Sequence, residues 1–314
     1  MAWRNPQQRH DRWGMSDYQD AVDTAIDTAR TISGVHKVNL WAVCGAGPVV
    51  VSLAGHHAAK GEPKINSLLL VVSPLDTGAM STAPNVGAFI DRDDKVAPKP
   101  VADAVAGRRM SARDFTLLFA MLRPNELIWN YWVNNYLLGK TPPAFDVLYW
   151  NGDGTGMTAN FNRDFSQFVE ANPFTTDGAM SVRGEPIAPV NKLGFPSYVL
   201  GAKTDHLCVW PAVYRSAQML GPRTTFVLGH SGHIQTIVCP PDNPKARFSV
   251  GPATADTPGA WLDGADHHQG SWWGHYVDWV SRRSGKLVDA PSSAGDADHP
   301  TISAAPGTYV HERG

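Results

Sequence analysis

The sequence predicts an α/β fold, a mostly parallel sheet covered by helices on both faces, and three observations predict it. Helix-like and strand-like patterns alternate from Ser16 to Ser73, as units of a covered parallel sheet do. "INSLLLVVS" at residues 65–73 is an unbroken apolar run of strand length, which suits a strand buried on both faces. The alternation resumes at Ser197 with "SYVLGA", "VWPAVYRSAQML" and "TTFVLG". With 314 residues, 43% hydrophobic and 18% charged, the chain can build one large domain with an insertion or two ordinary ones.

Each element has a local reason. Ser16-Asp17-Tyr18-Gln19 reads as a capping box, and Val22, Ala25, Ile26 and Ala29 follow at spacings of three and four, predicting an amphipathic helix over about 16–32. Residues 38–43 are apolar and β-prone and run into the Gly-Ala-Gly of "WAVCGAGPVV", a strand entering a tight bend. A helix should follow to about Lys60, with Pro48 tolerated in its first turn. From residue 74 to about 190 the pattern changes to "DRDDKVAPKP", the aromatic-rich "DFTLLFAML" and "ELIWNYWVNNYLL", and the Gly-rich "NGDGTGM". We read this stretch as a cap inserted over the sheet. The expected organisation is a first part of the core at 1–75, a cap or lid at 76–190, a second part of the core at 191–285, and a loosely ordered tail at 286–314 rich in Pro, Ala, Ser and Asp.

Composition narrows the function. A net charge of −2 and a pI near 6.6 argue against a basic surface for nucleic acid or anionic lipid. The first residues carry no apolar signal-peptide core, and no apolar run reaches the length of a membrane span. Cys44, Cys208 and Cys239 are an odd set without ligand-like spacing, against both a disulfide framework and a metal site, so no metal or cofactor is expected and a reducing cytoplasm is the expected location. Of the eleven tryptophans, those at 129, 132, 150, 272, 273 and 279 are expected to pack a core, with an apolar channel or contact surface as the alternative.

Cys44 stands where a strand–turn–helix would present a nucleophile. A cysteine taken alone is more often a buried structural thiol; a catalytic thiol also needs a base and a group to orient that base. Two later strand ends offer them: Asp205 follows "YVLGAKT" and His233 follows "FVLGHSG". Cys44, Asp205, His233 is the nucleophile, acid, histidine order of α/β-hydrolases. His206 and His230 compete with His233, and spacing alone does not choose among them. Cys208 and Cys239 lie in no such turn and are assigned no role.

Five blocks carry a longer resemblance: residues 123–151, "TDHLCVWPAVYRSAQMLG" at 204–221, "SGHIQTIVCPPDNPKARF" at 231–248, "GSWWGHYVDWVSRRSG" at 270–285, and the closing "PGTYVHER". They resemble the polyhydroxyalkanoate synthases over nearly the whole chain. The resemblance implies an α/β-hydrolase catalytic domain with a cap that polymerises (R)-3-hydroxyacyl-CoA into polyester in the cytoplasm, at the surface of the polyester granule, dimerising when active. It also implies Cys44 as nucleophile, the Asp205 of "TDH" as acid and the His233 of "SGHI" as base, which lifts His233 above its rivals. The backbone N–H of Gly45 is the expected oxyanion donor. A thioesterase or depolymerase of the same fold, and a catalytically weak granule-associated subunit, are the alternatives.

The departures from the family pattern are specific. The family's Gly-x-Cys-x-Gly box has Ala42 and Ala46 in its flanking positions here, two methyls that could crowd the turn. Cys208 and Val209 stand where the family more often has Thr and Pro, and Gly156 where it often has Arg. "AWRNP" at 2–6 resembles the end of an interior strand of the family's catalytic domain. The expectation from this is that the first strands, and the loop giving the second oxyanion N–H, are missing from this sequence and that the chain alone is a weak enzyme.

Overall fold

A computed structural model of the protein describes residues 3–82, 107–122, 124–142, 144, 150 and 153–312; the "DRDDKVAPKP" stretch and the start of "NGDGTGM" lie outside the described residues. Helix α1 (Met15–Ser33) leads into strand β1 (Val38–Val43), helix α2 (Ala46–Ala59) and strand β2 (Ile65–Val71). Helices α3 (Ala112–Leu122) and α4 (Ala159–Ala171) follow, with two π-helical segments between them at Asn125–Trp129 and Trp132–Leu137. A short hairpin, β3 (Ser181–Val182) and β4 (Glu185–Pro186), precedes β5 (Ser197–Ala202), α5 (Trp210–Met219), β6 (Thr224–Gly229) and α6 (His233–Ile237). The last elements are β7 (Arg247–Pro252), α7 (Pro258–Gly264), β8 (Asp266–Gln269) and α8 (Trp272–Ser281).

The main sheet runs β1-β2-β5-β6-β7-β8. The pairs among β1, β2, β5 and β6 are parallel, while β7 and β8 add antiparallel to β6 and to each other. The expected mostly parallel sheet is present, with an antiparallel end that the apolar runs did not announce. β2 and β5 are buried along nearly all their residues because each has a strand on both sides. β1 is an edge strand and alternates in exposure, with Trp41 outside and Ala42 in the core.

Helix α1 starts earlier than its sequence box. The Gly14 N–H donates to the Asp17 Oδ2 at 2.8 Å and the Met15 N–H to the Asp164 Oδ2 at 2.9 Å, so carboxylates of the first turn and of α4 satisfy the free amides. Gln19 is instead buried, its Nε2 donating to the Ser52 Oγ of α2 at 2.7 Å.

The chain divides into two compact units. One holds residues 1–17, 98–167 and 302–314; the other holds 18–97 and 168–301. Within the first, the Thr158 Oγ1 donates to the Trp13 carbonyl at 2.6 Å, Met110 and Met157 exchange backbone hydrogen bonds at 2.9 and 2.7 Å, and Arg4 pairs with Glu312. The second contains the sheet and a core that includes Leu53, Leu70, Tyr198, Phe226 and Trp272. Among the tryptophans, Trp261, Trp272 and Trp279 are core residues and Trp41 on the edge strand is exposed, while Trp129, Trp132 and Trp150 are about half exposed, at 55, 48 and 56%. The core-packing expectation therefore does not hold for these last three, and helix α3 in the aromatic-rich stretch has no fully buried residue either.

Candidate active site

Cys44 sits on the sharp turn between β1 and α2 with φ +51°. A non-glycine residue in the left-handed region is uncommon and strained, and the surroundings fix it there. Its N–H donates to the Val71 carbonyl at 2.9 Å, and its carbonyl accepts from the Ser73 Oγ at 2.6 Å and from the Gly47 N–H at 3.1 Å. Val72, with φ +43°, is a second strained position and a costly one for a β-branched side chain; its N–H donates to the Leu200 carbonyl at 2.7 Å. A strained turn opening a helix is the geometry that exposes an attacking atom.

The glycine that this turn requires is Gly47. A Cβ there would overlap the Ser73 Oγ and stand 2.8 Å from the Leu70 Cδ1. The two alanines behave differently from the crowding expected of them: Ala42 is an ordinary core residue and Ala46 is exposed on the first turn of α2. Neither methyl occupies the close contact.

The acid and base candidates come from the ends of the next two strands. Asp205 follows β5 and has no exposed side-chain surface; its Oδ1 accepts the N–H groups of Leu207 at 2.8 Å and Cys208 at 3.0 Å. Its Oδ2 bonds the Nδ1 of His233, the first residue of α6, at 2.6 Å. This hydrogen bond holds the imidazole with Nε2 free to act on a nucleophile. Of the rivals, His230 is engaged elsewhere, its Nε2 3.0 Å from the Ser249 Oγ, and His206 follows Asp205 directly in sequence.

The electrostatics are those of an ion pair. For Cys44, hydrogen bonding from the Cys208 thiol is the largest influence and lowers the pKa; burial opposes it, and the imidazole of His233 and the N–H of Gly45 lower it further, to well below the ordinary thiol value. For His233, burial pulls the pKa down, but the Asp205 carboxylate and the Cys44 thiolate outweigh it and raise the value to about 10. The arrangement thus favours a thiolate beside an imidazolium, a nucleophile and an acid in the same pair. The Gly45 N–H, just before α2, hydrogen-bonds the same sulfur.

Sequence reasoning missed one neighbour. The Sγ of Cys208 lies 3.8 Å from the Sγ of Cys44, and Cys208 carries the opposite shift, its pKa raised first by the Cys44 sulfur and then by burial. The signal was present in "TDHLC": a residue three past an aspartate can place its N–H on that carboxylate, which fixes Cys208 beside the acid. Asp205, Cys208 and His233 also have donor atoms within 4.8 Å of one another, a spacing a metal ion could use. The Asp205–His233 hydrogen bond and the contact of the Cys208 sulfur with Cys44 already engage those atoms. No helix among the described residues is long and apolar enough to cross a membrane.

A family model described as alpha/beta hydrolase fold matches residues 3–238. Among curated relatives, poly(3-hydroxyalkanoate) polymerase 1 of Ectopseudomonas oleovorans is 42% identical over 100% of this chain and 55% of its own length. Poly(3-hydroxyalkanoate) polymerase 2 of the same organism has the same identity and coverage. The poly(3-hydroxyalkanoate) polymerase subunit PhaC of Cupriavidus necator is 34% identical over 99% of this chain and 53% of its own. The chain spans about half the length of the curated relatives it matches. With the helix-flanked, mostly parallel sheet and the strained turn at Cys44, the match over most of its length shows that the chain belongs to the alpha/beta hydrolase fold family.

Proposed function

We propose that this chain carries the catalytic region of a polyhydroxyalkanoate synthase, joining (R)-3-hydroxyacyl units from their CoA thioesters into a polyester through a thioester on Cys44. The observation that carries the reading is the Cys44 thiol, on a strained turn, sharing one imidazole with the 2.6 Å His233–Asp205 hydrogen bond; the polymerases matched over the whole chain support it.

In the first step the Cys44 thiolate attacks the thioester carbonyl, the Gly45 N–H donates to the developing oxyanion, and the CoA thiolate leaves with a proton from His233. The neutral imidazole, oriented by Asp205, then takes the proton of the 3-hydroxyl group of the Cys44-bound unit as that oxygen attacks the carbonyl of the next CoA thioester, and returns it to the CoA thiolate as the C–S bond breaks. CoA and the enzyme thiol are comparable leaving groups, so the exchange is close to balanced. Water has to be kept from the thioester, or the same groups hydrolyse it; the aromatic-rich part of the segment 76–190 is our candidate for that task, as a cap. A homodimer working in the cytoplasm at the surface of its polyester product completes the proposal.

The test is incubation with (R)-3-hydroxybutyryl-CoA, following free thiol and product together. Thiol release with polymer supports the synthase. Thiol release with free hydroxy acid assigns a thioesterase, and no release at all assigns a non-catalytic subunit.

A further inference from the structure

We infer that Cys44 and Cys208 form a reversible disulfide, making the nucleophile a modification site for hydroperoxides. The inference goes beyond the proposed function, because it needs only the thiol pair and its imidazole; a chain that failed to polymerise would leave it standing.

The two sulfurs already touch, at 3.8 Å. They come from different parts of the sequence, 164 residues apart, Cys44 following β1 and Cys208 following β5, the two strands that flank β2. A bond requires them to close to about 2.05 Å. The two thiols differ in the way such a couple needs. Cys44 is half-buried and Cys208 buried, so of the two Cys44 is the more accessible to a small oxidant. A sensitive thiol with thiolate character and a resolving cysteine at hand is the arrangement that stops oxidation at the reversible stage. Cys44 has that character, since hydrogen bonding from Cys208 and then the imidazole of His233 lower its pKa. Cys239, the third cysteine, is also buried and follows α6.

The chemistry balances with hydrogen peroxide as the only co-reactant. The Cys44 thiolate attacks one peroxide oxygen, the S–O bond forms as the O–O bond breaks, and the departing hydroxide takes the proton of the His233 imidazolium to leave as water. The Cys208 sulfur then attacks the sulfenic sulfur, the S–S bond forms as the S–O bond breaks, and the proton of Cys208 leaves with the second hydroxide as water. Two thiols and one peroxide become a disulfide and two waters. The product has no thiolate on Cys44, so every reaction that starts from that thiolate stops until a dithiol restores it.

The experiment exposes the purified chain to equimolar hydrogen peroxide, alkylates the remaining thiols under denaturing conditions, and maps the peptides by mass spectrometry. The expected result is a fall from three alkylatable cysteines to one, Cys239, with a Cys44–Cys208 cross-linked peptide that dithiothreitol abolishes. In Cys208→Thr the cross-link should vanish, and with two or more equivalents of peroxide, the amount that the sulfinic stage consumes, Cys44 should instead reach the sulfinic acid, which dithiothreitol does not reverse. Sulfenic Cys44 in the wild-type chain with Cys208 still alkylatable, sulfinic Cys44 at two or more equivalents of peroxide, or a cross-link from Cys44 to Cys239 or to another chain, overturns the inference. The wild-type peptide map decides the matter by itself should Cys208→Thr not fold.

Discussion

Gly47 and Ser73 meet with no room for one more carbon. A Cβ on Gly47 would overlap the Ser73 Oγ, the same oxygen that donates to the Cys44 carbonyl at 2.6 Å. The turn that carries the thiol is therefore clamped from beneath by a hydroxyl, and the glycine is there to let the clamp in. Gly47→Ala should cost about 1–3 kcal/mol, the usual penalty for overpacking, and should slow alkylation of Cys44 by displacing its carbonyl. Chemical denaturation and native-state alkylation read the two effects. Adding Ser73→Gly to Gly47→Ala should recover part of the lost stability; two independent, additive losses would show that the contact is not the cause.

Asp205 and His233 should act as a unit with Cys44. His233→Ala and Asp205→Ala are each expected to lower CoA release by at least about a hundredfold, the lower range for general acid–base catalysis, and the double substitution should cost little more than either alone. His230→Ala should be mild, because its imidazole is bonded to the Ser249 hydroxyl. Turnover measured on the four variants decides it: a severe His230→Ala beside a mild His233→Ala would reassign the base.

The charges of the pair set a pH dependence whose sign can be worked out. The His233 pKa is raised from 6.5 to about 10, so the imidazolium contributes folded-state stability that is complete below about pH 6.5 and is lost as the pH rises through about 10. The Cys44 pKa is lowered from the ordinary 9.0, with Cys208 the largest cause, so the thiolate's contribution is present above pH 9 and is lost as the pH falls through the lowered value. Both shifts favour the charged forms, the thiolate and the imidazolium. Alkylation of Cys44 by iodoacetamide should accordingly stay level through neutral pH, and Asp205→Asn should move its acidic limb upward. A rate that climbs steadily to pH 9, as for an ordinary thiol, would remove the ion pair.

What the sequence made legible, and what it did not, follows from how locally each feature is encoded. The strands at Ile65–Val71, Ser197–Ala202 and Thr224–Gly229 could be read because burial on both faces demands continuous apolar runs. The edge pair β7 and β8 could not: β8 is Asp-His-His-Gln, exposed throughout, and its pairing with β7 comes from the neighbour and not from its own pattern. The order Cys44, Asp205, His233 was visible because each follows a strand, whereas the choice of His233 over His206 and His230 needed the family resemblance. Cys208 was invisible as a neighbour of Cys44 because a contact across 164 residues leaves no periodic trace. The expected crowding at Ala42 and Ala46 fell five residues and one residue before the tight contact at Gly47, since which position faces Ser73 depends on how α2 leaves the turn.

Gly156 turns a family departure into a measurable one. A Cβ there would lie 2.6 Å from the Met110 carbonyl oxygen, and that oxygen cannot retreat freely because it accepts the Met157 N–H at 2.7 Å, while the Gly156 N–H is held by the Asn5 Oδ1 at 2.9 Å. The backbone here is pinned on both sides of the glycine, so a side chain of any size needs the bridge between Met110 and Met157 to open. Restoring the residue the family often carries, by Gly156→Arg, should therefore destabilise the chain by about 1–3 kcal/mol, the range for forcing added volume into a packed site. Gly156→Ala should show most of that loss, because the first carbon makes the clash. Urea denaturation of both variants tests this; an arginine variant as stable as the wild type would mean that the Met110 backbone yields easily and that the glycine is not held by this contact.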